Sequence, residues 1–448
     1  MHRFIPNTPE QREEMLRVVG VRGTDDLFSD IPKELRLKDA MRLPPALSET
    51  ELSHLMKGMA SDTANAESSV CFLGAGMYDH FVPSVVNHMT LRQEFFTSYT
   101  PYQPELSQGT LRVIFEFQTM ICALTGMDVS NASMYDGATA MAEAALLAAA
   151  ATKRREILVS RAVHPDTRRV LATYLPCQNV TLREFGQKNG VSDVDALKSM
   201  IGPDTAAVLV QNPNFFGSLE DLAAIGDIAR SAKAMFVAAT NPISLALLEP
   251  PASFGADIVV GEGQPLGNGM NFGGPGFGYF AVSEKHMRKL PGRVVGRTKD
   301  RDGATAYVLT LQAREQHIRR EKATSNICSN HNLCILMATV YMSLLGKQGL
   351  REVAGQCLQK AHYARETLLK NGFEPLFDAP FFNEFALRTM EPADALDKRL
   401  AEAGFIGGYD LTRDYPDLSG GYLVAVTEKR TKEEIDRFAA CAGRGKKA

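Results

Sequence analysis

The sequence predicts an α/β fold with a doubly wound, mostly parallel sheet, on three observations. Short apolar, β-branched runs recur at 157–160, 206–211, 234–239 and 258–260. Amphipathic segments at 137–151, 165–175, 194–201 and 219–231 alternate with them. The runs are nearly continuous in apolar character, the pattern of strands covered on both faces. In such a sheet the functional loops lie beyond the carboxyl ends of the strands.

Taken in order, residues 1–66 read as a helical arm. Thr8-Pro9-Glu10-Gln11 combines a capping hydroxyl, a proline at the first helical position and a glutamine where a capping box needs one. Ser48-Glu49-Thr50-Glu51 opens a second helix with the same box. Short helices joined by proline-containing links have little core of their own, so the arm is expected to pack on another surface, which a partner subunit would supply. Residues 67–325 form the large α/β domain. Helical stretches at 332–345 and 350–370 then lead through 381–387, 420–426 and the closing helix 432–442, a smaller α+β domain within 326–448.

A formal net charge of −3 spread over 448 residues gives no electrostatic footprint for nucleic acid or an anionic membrane. The alanine-rich run 138–151 is broken by Glu143 and reads as a buried helix, not a membrane span. The basic end Arg444-Gly445-Lys446-Lys447 reads as solvated. Seven cysteines without a CxxC pair argue against a disulfide framework or a zinc ribbon. No metal site is expected, and a reducing cytoplasm is the expected setting. Residues 1–8 lack the apolar core of a secretory signal.

Four stretches are candidates for chemistry, and each has a plainer reading beside it. Asn131-Ala132-Ser133-Met134-Tyr135-Asp136-Gly137 opens the alanine-rich helix, and a helix N-terminus of this kind suits a cofactor phosphate. Asp136, however, is a good cap and a poor neighbour for phosphate. In Tyr99-Thr100-Pro101-Tyr102-Gln103-Pro104-Glu105 the prolines hold an extended segment. Its rings either stack on a planar cofactor while Gln103 and Glu105 bond a small substrate, or merely pack at the surface. Gly74-Ala75-Gly76 is too short for a dinucleotide fingerprint. The following Asp79 and His80 are an acid–base candidate, set against a structural histidine. The charged stretch 314–327 reads as a solvated helix with Glu315 and Arg319 at i,i+4, or as an anion clamp through Arg319 or Arg320.

The glycine-rich stretch 261–278 follows the last strand-like run. So many glycines permit positive φ and close backbone approach to a ligand, another chain or a tight hairpin.

Several of these stretches together resemble one family. Phe4-Ile5-Pro6-Asn7-Thr8, Asp26-Leu27-Phe28-Ser29-Asp30-Ile31-Pro32, Gly76-Met77-Tyr78-Asp79-His80, the 99–105 segment, Asn131-Ala132-Ser133, Gly273-Gly274-Pro275-Gly276 and Arg320-Glu321-Lys322-Ala323-Thr324-Ser325-Asn326-Ile327 resemble the glycine cleavage P-protein. That enzyme is the pyridoxal-phosphate-dependent glycine dehydrogenase (decarboxylating). The resemblance runs from Met1 to about residue 440, and the length is similar to the α chain of the two-subunit bacterial form. It implies the type I, aspartate-aminotransferase-like fold, with a seven-stranded sheet in the large domain. Where the catalytic chain carries its Schiff-base lysine this sequence has Gln264, preceded by Gly263, and where it carries the aspartate for the pyridine nitrogen this sequence has Ala238. Glutamine forms no imine with an aldehyde, and alanine holds no pyridinium.

The resemblance therefore implies an α subunit without its own cofactor. A β subunit would carry pyridoxal phosphate, in an α2β2 assembly that decarboxylates glycine and passes the aminomethyl group to lipoylated H-protein. Tyr99, Tyr102, Gln103 and Glu105 would reach over the partner's cofactor, with Asp79 and His80 as weaker candidates. Arg319, Arg320, Lys322, Thr324 and Asn326 would complete the interface or bind an anion. Two rivals stand beside this reading: a non-catalytic scaffold that stabilises β or docks H-protein, and a self-sufficient enzyme using Lys233 or Lys285.

Overall fold

The computed structural model describes residues 4–37, 39, 41–323, 325–327 and 331–443. Thr324 and the basic end lie outside the described residues. The chain divides into two compact units, Met1–Ala64 and Asn65–Ala448.

In the first unit, helices Pro9–Val19 and Glu49–Ser61 both begin with complete capping boxes, Thr8 with Gln11 and Ser48 with Glu51. No described residue of this unit is buried. Val18, Leu35, Leu37 and Met59 remain exposed, so the unit holds its shape by local caps and turns and not by a core.

The second unit is built on a seven-stranded sheet. From one edge to the other the strands are Val129–Ser130, Gly278–Val282, Ile258–Glu262, Met235–Thr240, Thr205–Asn212, Glu156–Ser160 and Thr181–Phe185. Gly278–Val282 runs antiparallel to both neighbours, and every other pairing is parallel. Alternation of side chains sends Val208, Val210, Phe236 and Val259 into one core and Ala207, Leu209, Val237 and Val260 into the other. The first core is closed by helices Gln108–Thr125 and Asn332–Lys370, through Ile114, Phe117, Ile335 and Ala338. The second is closed by the alanine-rich helix Gly137–Thr152, whose small side chains let it lie close on the sheet. Both faces are covered, as continuous apolar strands require.

Helix Asn332–Lys370 breaks at Gly346, where φ is +57°, so it forms the two stretches expected at 332–345 and 350–370. It is long and apolar enough by composition to cross a membrane, but Cys334, Ile335, Ala354, Ala361 and Leu368 are buried in the cores of this unit. The C-terminal sheet is antiparallel, in the order Glu374–Pro375, Glu384–Arg388, Gly421–Ala425, Tyr409–Asp410. Helices Ala393–Glu402 and Lys432–Ala442 contribute to its core.

Three elements depart from expectation. Val70–Cys71 pairs in parallel with Phe405–Ile406, and Phe72 stacks on Phe438, so the start of the segment assigned to the large domain belongs to the C-terminal layer. Thr181–Phe185 is an edge strand whose Thr181, Arg183 and Glu184 are exposed, so it lacks the apolar run used to find the others. The hairpin Val294–Lys299 with Thr305–Thr310 sits in a mixed polar stretch without strand periodicity.

Candidate functional site

A cleft of about 500 Å³ opens at the carboxyl ends of the parallel strands. Gln211, Ala239, Thr240, Gly261 and Glu262 come from those ends, Asp136 to Ala138 from the start of the alanine-rich helix, and Ala75 to Tyr78 from the loop after the first short strand. His164, Asn383 and Glu384 complete its walls.

The helix N-terminus facing the cleft is already occupied by carboxylates of this chain. Thr139 N donates to Asp136 Oδ1 at 2.7 Å, and Gly137 N donates to Glu262 Oε2 at 2.9 Å. Glu262 Oε1 also accepts from Gln264 N at 3.2 Å. Burial outweighs these bonds, and with the charge of Asp136 it pushes the Glu262 carboxyl up to about 7. Glu384 is fully enclosed, accepting from Ala75 N at 2.6 Å and from Tyr78 Oη at 2.8 Å, and burial raises it likewise to about 7. His164 Nδ1 accepts from Asp166 N, so Nε2 carries the proton and donates to Ala75 O at 2.9 Å. Burial holds its pKa below the usual imidazole value.

Gln264 is 1% exposed and does not line the cleft. Its Nε2 donates to Tyr78 O at 3.0 Å and Asn268 O at 2.8 Å, while Oε1 accepts from Tyr78 N at 3.0 Å. The amide thus staples the Tyr78 loop to the glycine-rich stretch, with both of its N–H groups and its oxygen engaged. The close approach expected of the glycines is made to this chain itself. A Cβ on Gly263 would lie 2.1 Å from the Phe277 ring, and one on Gly267, at φ +78°, would lie 2.6 Å from Tyr341. Further on, the stretch turns outward, and Phe272 at its tip is 81% exposed with φ +54°.

Asp79 and His80 point apart into a latch on the C-terminal domain. Asp79 meets Lys429 Nζ at 2.6 Å and an Arg430 guanidinium nitrogen at 3.0 Å. His80 Nδ1 lies 2.7 Å from Glu428 Oε2, and Phe81 N donates to Glu428 Oε1 at 2.7 Å. Burial alone would raise the Glu428 carboxyl, but these bonds and the His80 charge bring it down to about 2. Cys357 Sγ joins at 3.4 Å from Glu428 Oε2, giving a His–Cys–Glu group of possible metal ligands. Their spacing is that of hydrogen bonds, and burial raises the thiol well above its usual range, which opposes the thiolate that a metal takes.

Tyr99, Tyr102, Gln103 and Glu105 are exposed and do not line this chain's cleft. The Tyr102 hydroxyl accepts from Arg293 at 2.8 Å, and its ring meets the His317 ring edge-on at 6.1 Å. Arg319, Arg320, Lys322 and Asn326 are exposed as well. The solvated helix expected around Glu315 is corrected: helix Gln316–Arg319 spans one turn, and Glu315 is buried 3.8 Å from Arg293 Nε. Adjacent residues tie these segments together. His331 Nδ1 lies 2.8 Å from Gly276 O in the glycine loop, and Asn332 Nδ2 donates to Tyr99 O at 3.0 Å.

Glu262, His164 and Glu384 were not singled out from sequence. A signal existed for two of them: His164-Pro165 is a cap followed by proline just past a strand, and Glu384 is a lone acid in the apolar run Phe381-Phe382-Asn383-Glu384-Phe385.

The lining does not fit pyridoxal phosphate, which takes an amine for its aldehyde, an acid for its ring nitrogen and free N–H groups for its phosphate. Among the described lining residues there is no lysine or arginine. Lys233 is exposed outside the lining, and Lys285 pairs with Asp257 Oδ1 at 2.5 Å. Ala238 is buried in the core, and the neighbour that reaches the cleft, Ala239, is no acid either.

The sequence matches the family described as glycine cleavage system P-protein over residues 2–441. It is 55% identical to the probable glycine dehydrogenase (decarboxylating) subunit 1 of Geobacillus kaustophilus (strain HTA426), over 99% of each chain. It is 54% identical to the like-named protein of Brevibacillus brevis (strain 47 / JCM 6285 / NBRC 100599), over 98% of each. A crystal structure of glycine decarboxylase (P-protein) of the glycine cleavage system, in inhibitor-bound form, superposes with TM-score 0.90 at 43% identity, covering 98% of this chain and 99% of that one. A NifS-like protein at 12% identity and TM-score 0.63, covering 84% of this chain and 98% of that one, shares the fold. The architecture is that of the pyridoxal-phosphate-dependent type I enzymes, and the chain belongs to the glycine cleavage system P-protein family.

Proposed function

We propose that this chain is subunit 1, the α subunit, of a cytoplasmic glycine dehydrogenase (decarboxylating), working as half of an α2β2 assembly. The β subunit carries pyridoxal phosphate, and this chain carries none. The complex decarboxylates glycine and transfers the aminomethyl group to the lipoyl group of H-protein. The cofactor on β supplies the electron sink. This chain supplies side chains from its exposed face, with Tyr99, Tyr102, Gln103 and Glu105 orienting substrate and excluding water. Arg319, Arg320, Lys322 and Asn326 neutralise an anionic group at the interface, and Thr324 belongs to the same stretch.

One observation supports this reading: the tyrosine segment is tied to Gly276 of the glycine loop through Asn332 and His331, and to the 314–327 stretch through the Tyr102–His317 contact, with Tyr99, Tyr102 and His317 exposed. Its test is reconstitution. Purified α and β, mixed with lipoylated H-protein, are expected to exchange the glycine carboxyl with CO2, while either chain alone is not. Full exchange by β without this chain would overturn the assignment.

A further inference from the structure

The cleft that does not suit pyridoxal phosphate has a consistent chemistry of its own. Four carboxyl groups, Asp136, Asp166, Glu262 and Glu384, line it, and no lysine or arginine does so among the described residues. Each Glu384 oxygen accepts one hydrogen bond, and a carboxylate offers about four acceptor positions, so capacity remains. Asn383 supplies an independent sign of a ligand. It lines the same cleft at 2% exposure, and its buried Nδ2 has no acceptor. A buried donor left unmet is costly, so such a group in a walled space calls for an acceptor.

We propose that the cleft binds a small amino acid or N-substituted amino acid, with its ammonium group towards Glu262 and Glu384 and its carboxylate accepting from Asn383. A zwitterion meets both demands: a cation for Glu262 and Glu384, beside which the described lining places no lysine or arginine, and an acceptor for the stranded amide. The inference rests on the reading that the cofactor sits on the partner, because a cofactor in this cleft would fill it. No lysine lines the cleft among the described residues, so the amino acid is held there without forming an imine.

Isothermal titration of the αβ complex and of the isolated full chain with N,N-dimethylglycine tests this. Its tertiary ammonium retains one N–H but cannot condense with an aldehyde, so a cofactor on the partner does not capture it. One saturable site per copy of this chain is expected. 3-Methylbutanoate, the same shape without the ammonium, is expected to show none. Glu384→Gln and Glu262→Gln should each weaken binding about tenfold, a loss of about 1.4 kcal/mol. Absence of saturable binding, equal binding of 3-methylbutanoate, or affinity unchanged in both variants would overturn the proposal. Adding pyridoxal phosphate to the isolated chain separates the two readings. Imine absorbance there would overturn the cofactor-on-partner assignment, whereas no imine together with no dimethylglycine binding would overturn only the cleft proposal.

Discussion

The cleft and the outward face of the tyrosine segment hold their polar groups in opposite conditions. In and behind the cleft, Gln264 and Glu384 are buried, Glu262 and His164 are half-buried, and all four are bonded to backbone of this chain, so these bonds serve the fold. On the outward face, Tyr99 is 83% exposed, and Gln103, Glu105, Arg319 and Lys322 are exposed with it. Groups already satisfied hold a structure together, whereas groups presented to solvent are available to a second molecule. The contrast separates what this chain keeps for stability from what it offers a partner.

The largest expected effect lies on the outward face. In the αβ complex, Tyr102→Ala or Glu105→Ala should lower glycine–CO2 exchange about a hundredfold, about 2.7 kcal/mol of barrier, with assembly unchanged by sedimentation. Unchanged turnover would instead favour a scaffold.

Gln264→Ala should produce the opposite pattern. It strands the Tyr78 N–H and two carbonyls, so chemical denaturation should show a loss of about 3 kcal/mol. Gln264→Lys should destabilise by a similar amount and still yield no imine absorbance with pyridoxal phosphate, because the side chain at 264 is directed into the Tyr78–Asn268 staple.

A third expectation concerns pH. Burial raises Glu143, Glu262 and Glu384 each to about 7 from an ordinary value of 4.5. The folded chain therefore binds more protons than the unfolded one across that interval, and these groups contribute stability that is lost as pH rises through about 7. Glu384→Gln mimics the protonated form, so its melting temperature relative to the native chain should increase as pH rises across the same interval. A difference independent of pH would contradict the assignment. The smallest effect belongs to Asp136→Ala, which removes the cap on Thr139 N and should cost about 1 kcal/mol by thermal melting.

Much of the fold was legible because burial on both faces leaves a continuous apolar signature, as at Thr205–Asn212 and Met235–Thr240. Thr181–Phe185 and Val294–Lys299 escaped because exposed edges carry polar residues that periodicity does not mark. Gln264 stood out in the sequence as a glutamine where the resemblance implies a lysine, but what its amide does was not legible. Its partners Tyr78 and Asn268 lie 186 and 4 residues away, and only the folded loop brings them together. Glu262 escaped notice because its role depends on a helix start 125 residues earlier. The exposed tyrosine segment was readable as a candidate, whereas its convergence with the glycine loop depends on His331 and Asn332.

The most direct test of the central claim is borohydride reduction of the pyridoxal-phosphate-loaded αβ complex, followed by peptide mapping. All stable label is expected on a lysine of the β chain and none on peptides of this chain. A stoichiometric pyridoxyl group on any lysine of this chain would contradict the account.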